Sequence, residues 1–371
     1  MKVCILSMQR VRNFGSLLQS YALKKIIEGF GHQVSFLDIE RIEEDAQVLT
    51  REGHIFPDEE NRTGVLSKLK KLDRYTVNRL RIKLKNKQQT TLMEVFRKSS
   101  LGMGTNGNDG HYNCCVIGSD EVFNCMTKSS WGFTSQLFGN VRQADRVITY
   151  AASCGATVLE EIPVAVVNRI REAFGNVSAF SVRDDNTRSM VSALTDKQVE
   201  EHLDPVLIGD FTEELSRTKF PENLPERYCV VYSYYNRIHK KEEIQAIQEF
   251  CRKHQLEIVT VGSPQMWKKR HLVLTPFEVL RVFENASFVI TDTFHGTVFS
   301  AKYADHFATI TRESNKNKLE DLIERLGVQQ HRVTSFDQLE TAYAVKNDKE
   351  RIALLCSEER ARSLRYLQEN L

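Results

Sequence analysis

One feature limits the possible folds more than any other: short apolar runs keep ending in a loop that opens a helix-spaced segment. VCILSM is a strand, QRVRNFGS a loop, LLQSYALKKIIEGFG a helix with a glycine-rich stop, and QVSFLDI the next strand. Strand, helix and returning strand form the unit of doubly wound parallel sheets. The theme resumes at YNCCVIGSD, RVITYAASCG and SAFSVRDDNTRSMV. A second regular run starts near residue 226, with YCVVYSYY, KKEEIQAIQEFCRKHQ, LEIVTVGS and TPFEVLRVFENA, the last of which Thr275 is placed to cap. SFVITDT, FHGTVFSAKYA, FATITR and NKLEDLIERLG continue it, and ERIALLCSEERARSLRYLQENL reads as a long terminal helix. A chain of 371 residues exceeds what one hydrophobic core organises. The expectation is an α/β protein of two Rossmann-like domains facing across a cleft, divided at 1–210 and 211–345, with a C-terminal helix over 346–371.

Charge and composition remove several classes. A formal net charge of +2 gives no global case for nucleic acid as a partner. MKVCILSMQR lacks the pattern of a signal peptide, and no apolar run is long enough to span a bilayer. The eight cysteines are scattered without a CxxC pair, which predicts reduced thiols, a cytoplasmic location and no metal site.

Ligands of open parallel sheets sit beyond the carboxyl ends of the strands, where helix N-termini also attract anions. Five stretches occupy such positions. In TDTFHG, His295 can exchange a proton near neutral pH, Asp292 can orient it or hold a hydroxyl, and Gly296 admits close approach of a ligand; equally, Asp292 caps the helix and His295 only packs. In RVRNFGSLLQSYAL, Asn13, Gly15, Ser16 and Gln19 offer donors to an anion or sugar, although Asn13 or Ser16 acting only as a cap explains the stretch as well. The loop lacks GxGxxG and the Walker pattern. In VIGSDEVFN, Ser119, Asp120 and Glu121 suit sugar hydroxyls, or form a turn. In FSVRDDNTR, Arg183 can grip a carboxylate or phosphate, or pair with Asp184 or Asp185. Arg312, Lys316 and Lys318 add positive charge after TIT.

The segment from 62 to 98 is basic, with Lys68, Lys70, Lys71, Arg74, Arg79, Arg81, Lys83, Lys85 and Lys87 interleaved with leucines. It reads as a helical insertion. Either it is an exposed helix face, or it holds a pyrophosphate or touches an anionic membrane surface.

Taken in order, these pieces resemble the polysaccharide pyruvyl transferase family. NFGSLLQSYALKKIIEGFGHQVSFLD is similar to its N-x-G-x-x-L-Q-x-Y-A-L … G-H-x-V opening. CVIGSDEVFN resembles the G-S-D motif, with Phe123 where many members have tryptophan. TYAASCG, FSVRDDNTR, LDPVL and TDTFHGTVFSAKY resemble Y-A-x-S-x-G, S-V-R-[DE], D-P-x-L and T-D-x-F-H-G-x-x-F. The resemblance implies the GT-B-like architecture of two-domain glycosyltransferases. It also implies transfer of the enolpyruvyl carbons of phosphoenolpyruvate onto a sugar as a pyruvate ketal, without a cofactor. His295 is then the general acid, Asp120 and Glu121 the hydroxyl partners, and Arg183 and Lys318 the donor grips. Arg312, Thr293, Phe294 and Gly296 complete the donor side; Asn13, Gly15, Ser16, Gln19 and Ser119 face the acceptor or bind an anion. Many members carry arginine where this chain has Thr293, so Arg312, Lys318 or the helix terminus after Gly296 must supply that charge. The implied acceptor is a lipid-linked oligosaccharide met at the inner face of the membrane. A nucleotide-sugar glycosyltransferase or a silent sugar-binding protein of the same fold are the alternatives.

Overall fold

The structure, a computed structural model, describes residues 1–45, 72–104, 110–126, 132–222, 224–312 and 315–371. Residues 62–71 of the basic segment lie outside them. Six parallel strands form the first sheet: β1 (Lys2–Leu6), β2 (Gln33–Leu37), β3 (Tyr112–Asp120), β4 (Ala144–Ala152), β5 (Val177–Val182) and β6 (Val199–Glu201), in the order β2-β1-β3-β4-β5-β6. Five form the second: β7 (Tyr228–Ser233), β8 (Glu257–Gly262), β9 (Phe288–Thr291), β10 (Phe307–Ile310) and β11 (Arg332–Val333), ordered β11-β10-β9-β7-β8. The central strands are apolar on both faces because helices cover both. In each sheet the second strand lies on one side of the first and the third on the other, so each has a switch point beside its first strand.

Local chemistry accounts for the helices that carry the site. Asn13 accepts the Gly15 N–H at 2.9 Å and starts the helix Phe14–Gly29. Thr275 and Glu278 form a capping box at Pro276–Glu284, satisfying two otherwise orphaned donors. Thr293 accepts the Gly296 N–H at 3.0 Å and starts Phe294–Tyr303. The C-terminal helix spans Lys349–Asn370, and its Tyr366 donates to the Thr149 carbonyl of β4 at 2.9 Å.

The halves share a core. One apolar cluster runs from Val3 and Leu17 through Val206 and Leu207 to Val298, Phe299 and Leu367. A short helix, Pro205–Ile208, crosses between the halves, with Asp204 as its cap and proline at its first position. Lys302 donates to the carbonyls of Val206 and Leu207, at 2.7 and 3.2 Å, and to Gly209; Arg360 donates to Ile208. Burial lowers the Lys302 ammonium to about 8.

The described part of the basic segment lies in a helix, Leu72–Ser99, docked on both halves. Gln89 exchanges hydrogen bonds with the backbone of Leu274, and Arg97, 2% exposed, donates to the carbonyls of Gln9, Arg10 and Val11. Its other side leaves Leu80 and Leu84 exposed.

All eight cysteines are unpaired and buried. Burial raises Cys114, Cys125 and Cys154 to about 12 and Cys356 to about 11, from an ordinary 9.0. Thiols whose pKa is raised in the folded state contribute stability that is complete below the unfolded value and lost as pH rises toward the folded one. Denaturant midpoints are therefore expected to hold to about pH 9 and then fall steadily. A profile flat to about pH 11 would contradict the burial of these thiols.

Candidate active site

The two switch points face each other, which is where ligands of open α/β sheets bind. A cavity of about 250 Å³ receives Asn13 and Ser16 after β1, Asp120 and Glu121 from the end of β3, Tyr234 after β7, and Phe294 and His295 after β9. Arg183 enters past β5, and Lys318 from the helix Lys316–Leu326 after β10.

His295 lies directly against Gly15 of the opposite half. A Cβ at Gly15 would fall 2.0 Å from His295 Cγ, so only glycine permits this approach. The ring is 5% exposed, and its Nε2 lies 3.4 Å from Asp204 Oδ2 with no hydrogen-bond partner among the described residues. Gly15→Ala should push the imidazole aside and cost about 100-fold in turnover with the fold retained. Circular dichroism and a turnover assay check this; full activity would mean that the ring position is immaterial.

Asp204 is the residue that spacing alone did not reveal. Its Oδ1 accepts the Val206 N–H at 2.9 Å, while Oδ2 faces both His295 and Arg183 Nη1, the latter at 3.1 Å. Burial pushes its carboxyl up, but His295, Arg183 and the Val206 N–H together bring it below the ordinary value. An Asp-Pro pair before a short helix is fully explained as a cap. That is why the second oxygen's task is invisible in sequence.

Arg183 is 3% exposed and stacks on Phe294, 4.0 Å from the ring centroid. Burial opposes its charge; Asp204 first, then Asp120, Asp184 and Glu121, hold it protonated. Its Nε has no hydrogen-bond partner among the described residues. Asp184 caps the next helix and Asp185 pairs with Arg188, so neither is the partner that the sequence offered for Arg183.

The carboxylates are held differently. Asp120 adopts φ +87°, a region costing a non-glycine residue about 1–3 kcal/mol, and accepts Ser16 Oγ at 2.6 Å. Glu121 pairs with Lys318 at 2.7 Å across the cleft and accepts Asn124 Nδ2 at 2.9 Å. Burial would raise Glu121, but Lys318 and Asn124 bring it down to about 2.

The remaining sequence candidates lie around this centre. Thr293 is the helix cap, and a Cβ on Gly296 would fall 1.9 Å from Thr291 Oγ1. Ser119 donates to the Ala151 carbonyl at 3.1 Å and is 1% exposed. Gln19 is fully buried, and its amide has no partner among the described residues. Arg312 is not among the residues lining the cavity. It donates to Glu243 at 2.7 Å and faces Asp292 at 3.4 Å. Asp292, fully buried, also faces Arg237 at 3.7 Å, so the place beside His295 that the sequence offered to Asp292 belongs to Asp204. Burial raises the Asp292 carboxyl, with Arg237 and Arg312 opposing.

The polysaccharide pyruvyl transferase family model matches residues 13–311, which include every cavity residue named above except Lys318. The chain belongs to this family. No curated protein matches it. Among solved structures, the UDP-GlcNAc 2-epimerase from Methanocaldococcus jannaschii aligns over 100% of both chains at 10% identity with a TM-score of 0.52, a likeness of fold alone. The Streptomyces sp. SF2575 glycosyltransferase SsfS6 aligns over 100% of this chain and 99% of its own at 13% identity, with a TM-score of 0.42. Membership of the family makes the protein a transferase of polysaccharide synthesis. Among the described residues, no helix is long and apolar enough to cross a membrane.

Proposed function

We propose that this transferase forms a pyruvate ketal on a sugar, with phosphoenolpyruvate as donor and phosphate as the released product. The observation that carries the reading is Arg183, a buried guanidinium with an unpartnered Nε in a cleft that also holds a histidine and two carboxylates. A trianionic donor supplies what Arg183 lacks, and Lys318 adds a second cation. His295 protonates C3 of the enol, making C2 electrophilic. One hydroxyl adds to C2, the C2–O bond to phosphate breaks, and a neighbouring hydroxyl closes the ring. One hydroxyl proton ends on C3 and the other on phosphate. Asp120 and Glu121 hold the hydroxyls. The scheme needs no cofactor.

Lys318 is engaged by Glu121 in the free protein. The donor must take Lys318 over, which releases Glu121 for the acceptor. Glu121→Gln should therefore tighten phosphoenolpyruvate binding about 2- to 5-fold in calorimetric titration, while slowing ketal formation. Weaker binding by the variant would contradict this exchange.

The acceptor in this proposal is a lipid-linked oligosaccharide, reached from the cytoplasm. The unpaired cysteines support a reducing compartment. Exposed Leu80 and Leu84 beside Lys83 support contact with an anionic bilayer, and cosedimentation with phosphatidylglycerol vesicles tests it.

Phosphate release from phosphoenolpyruvate, with galactose-, mannose- and N-acetylhexosamine-terminated acceptors including lipid-linked forms, tests the reaction. Acceptor-dependent release with a matching mass gain on the sugar is expected. Silence, together with thermal stabilisation by UDP or GDP and none by phosphoenolpyruvate, would overturn the donor in favour of a nucleotide sugar.

A further inference from the structure

A second cavity opens beside the first and shares Arg12, Asn13 and Tyr234 with it. Their chemistry differs. The first holds Asp120, Glu121, Arg183, His295 and Lys318. Among the described residues the second has one charged side chain, Arg12, which donates to Thr90 at 3.4 Å. Otherwise it offers amides, hydroxyls and rings. Asn86 comes from the docked basic helix, Ser233 from the end of β7, and Ser263 from just beyond β8. Tyr232 adds an aromatic wall.

Tyr234 stands between the two. It is 47% exposed, a large ring left in solvent at the mouth of a polar cleft, and the Arg237 guanidinium lies 5.4 Å from its centroid. A ring with a polar tip, beside neutral donors and acceptors, suits a saccharide: the apolar C–H face of the sugar lies on the aromatic surface and its hydroxyls meet the amide and hydroxyls. Among the described residues, phosphates would find only Arg12 in the second cavity.

We propose that the acceptor sugar binds across Tyr234, its reacting hydroxyls against Asp120 and Glu121 and the rest of the saccharide against Asn86, Ser233 and Ser263. This assignment rests on the first cavity being the donor site. It gives the basic helix a task in the reaction, because Asn86 brings that helix to the acceptor.

The test is saturation-transfer NMR on the full chain saturated with phosphoenolpyruvate. The probes are the methyl glycosides of galactose, mannose and N-acetylglucosamine, with UDP as a comparison. At least one glycoside should receive saturation, and the transfer should fall about 5-fold in Tyr234→Ala and in Ser263→Trp, which fills the second cavity. Asn86→Ala should weaken it less. Thermal stabilisation by phosphoenolpyruvate should persist in Ser263→Trp and Asn86→Ala, whose side chains line only the second cavity; it also shows that they fold. Equal transfer in wild type and all three variants would overturn the assignment. So would transfer to UDP alone, or to no probe while phosphoenolpyruvate still stabilises the wild type. A wild type that phosphoenolpyruvate does not stabilise would overturn the donor reading instead.

Discussion

Replacing His295 by glutamine is expected to lower kcat for ketal formation by about 10²–10⁴-fold, the range that a positioned general acid contributes. Glutamine keeps comparable length and an N–H, but has no proton to give to carbon. The surrounding packing against Gly15 and Phe299 is compatible with that replacement. Phosphoenolpyruvate should still raise the melting temperature of the variant, because Arg183 and Lys318 are untouched. Undiminished turnover with intact folding would remove His295 from the mechanism. Loss of both turnover and donor binding would make it a binding residue rather than the acid.

Asp204→Asn is expected to affect activity and stability together. Asparagine caps a helix as well as aspartate, so the Val206 N–H keeps its acceptor and the short crossing helix keeps its start. What disappears is the negative charge facing His295 and Arg183, neither of which is exposed. Removing one partner of a buried pair leaves the other uncompensated, at about 3–5 kcal/mol. Turnover should fall at least about 100-fold as the imidazole and guanidinium lose their common anchor. Denaturant titration and kinetics on the same sample check both. A variant as stable as wild type would mean that Asp120 and Glu121 suffice to hold Arg183 charged. Phosphoenolpyruvate should restore part of the lost stability, since its charges replace the missing carboxylate.

Much of the fold was legible because it is local. Residues 2–37 encode strand, cap, helix and strand through apolar spacing and Asn13, and the structure has these elements in that order. Thr275 was readable as a cap because its hydroxyl precedes a helix-spaced run, and the structure completes a capping box with Glu278. The long terminal helix was readable from periodicity alone. His295, Arg183, Asp120 and Glu121 were nameable because each sits where a parallel strand ends, and Lys318 through the family resemblance; the structure brings all five to one cavity.

Other assignments depended on distances that no spacing carries. Arg312 follows β10 as Arg183 follows β5, yet it turns to Glu243 and Asp292. Gln19 shares the first helix with Ser16, but only Ser16 reaches the cavity. The basic segment reads in sequence as an exposed helix face, or as one that holds a pyrophosphate or touches an anionic membrane. What the spacing did not carry is that Gln89 and Arg97 fasten its other side to Leu274 and to the Gln9–Val11 loop, backbone partners on opposite halves of the molecule.

The sequence by itself determined the parallel α/β elements, the two-part organisation and the family, because hydrophobic periodicity, caps and strand-end motifs are properties of neighbouring residues. Only the tertiary structure decided which charges meet. Asp204 and His295 are 91 positions apart in the chain and 3.4 Å apart in space, and Glu121 meets Lys318 across 197 positions. Burial makes those pairings strong, and burial exists only once the two sheets and the crossing helix close on each other.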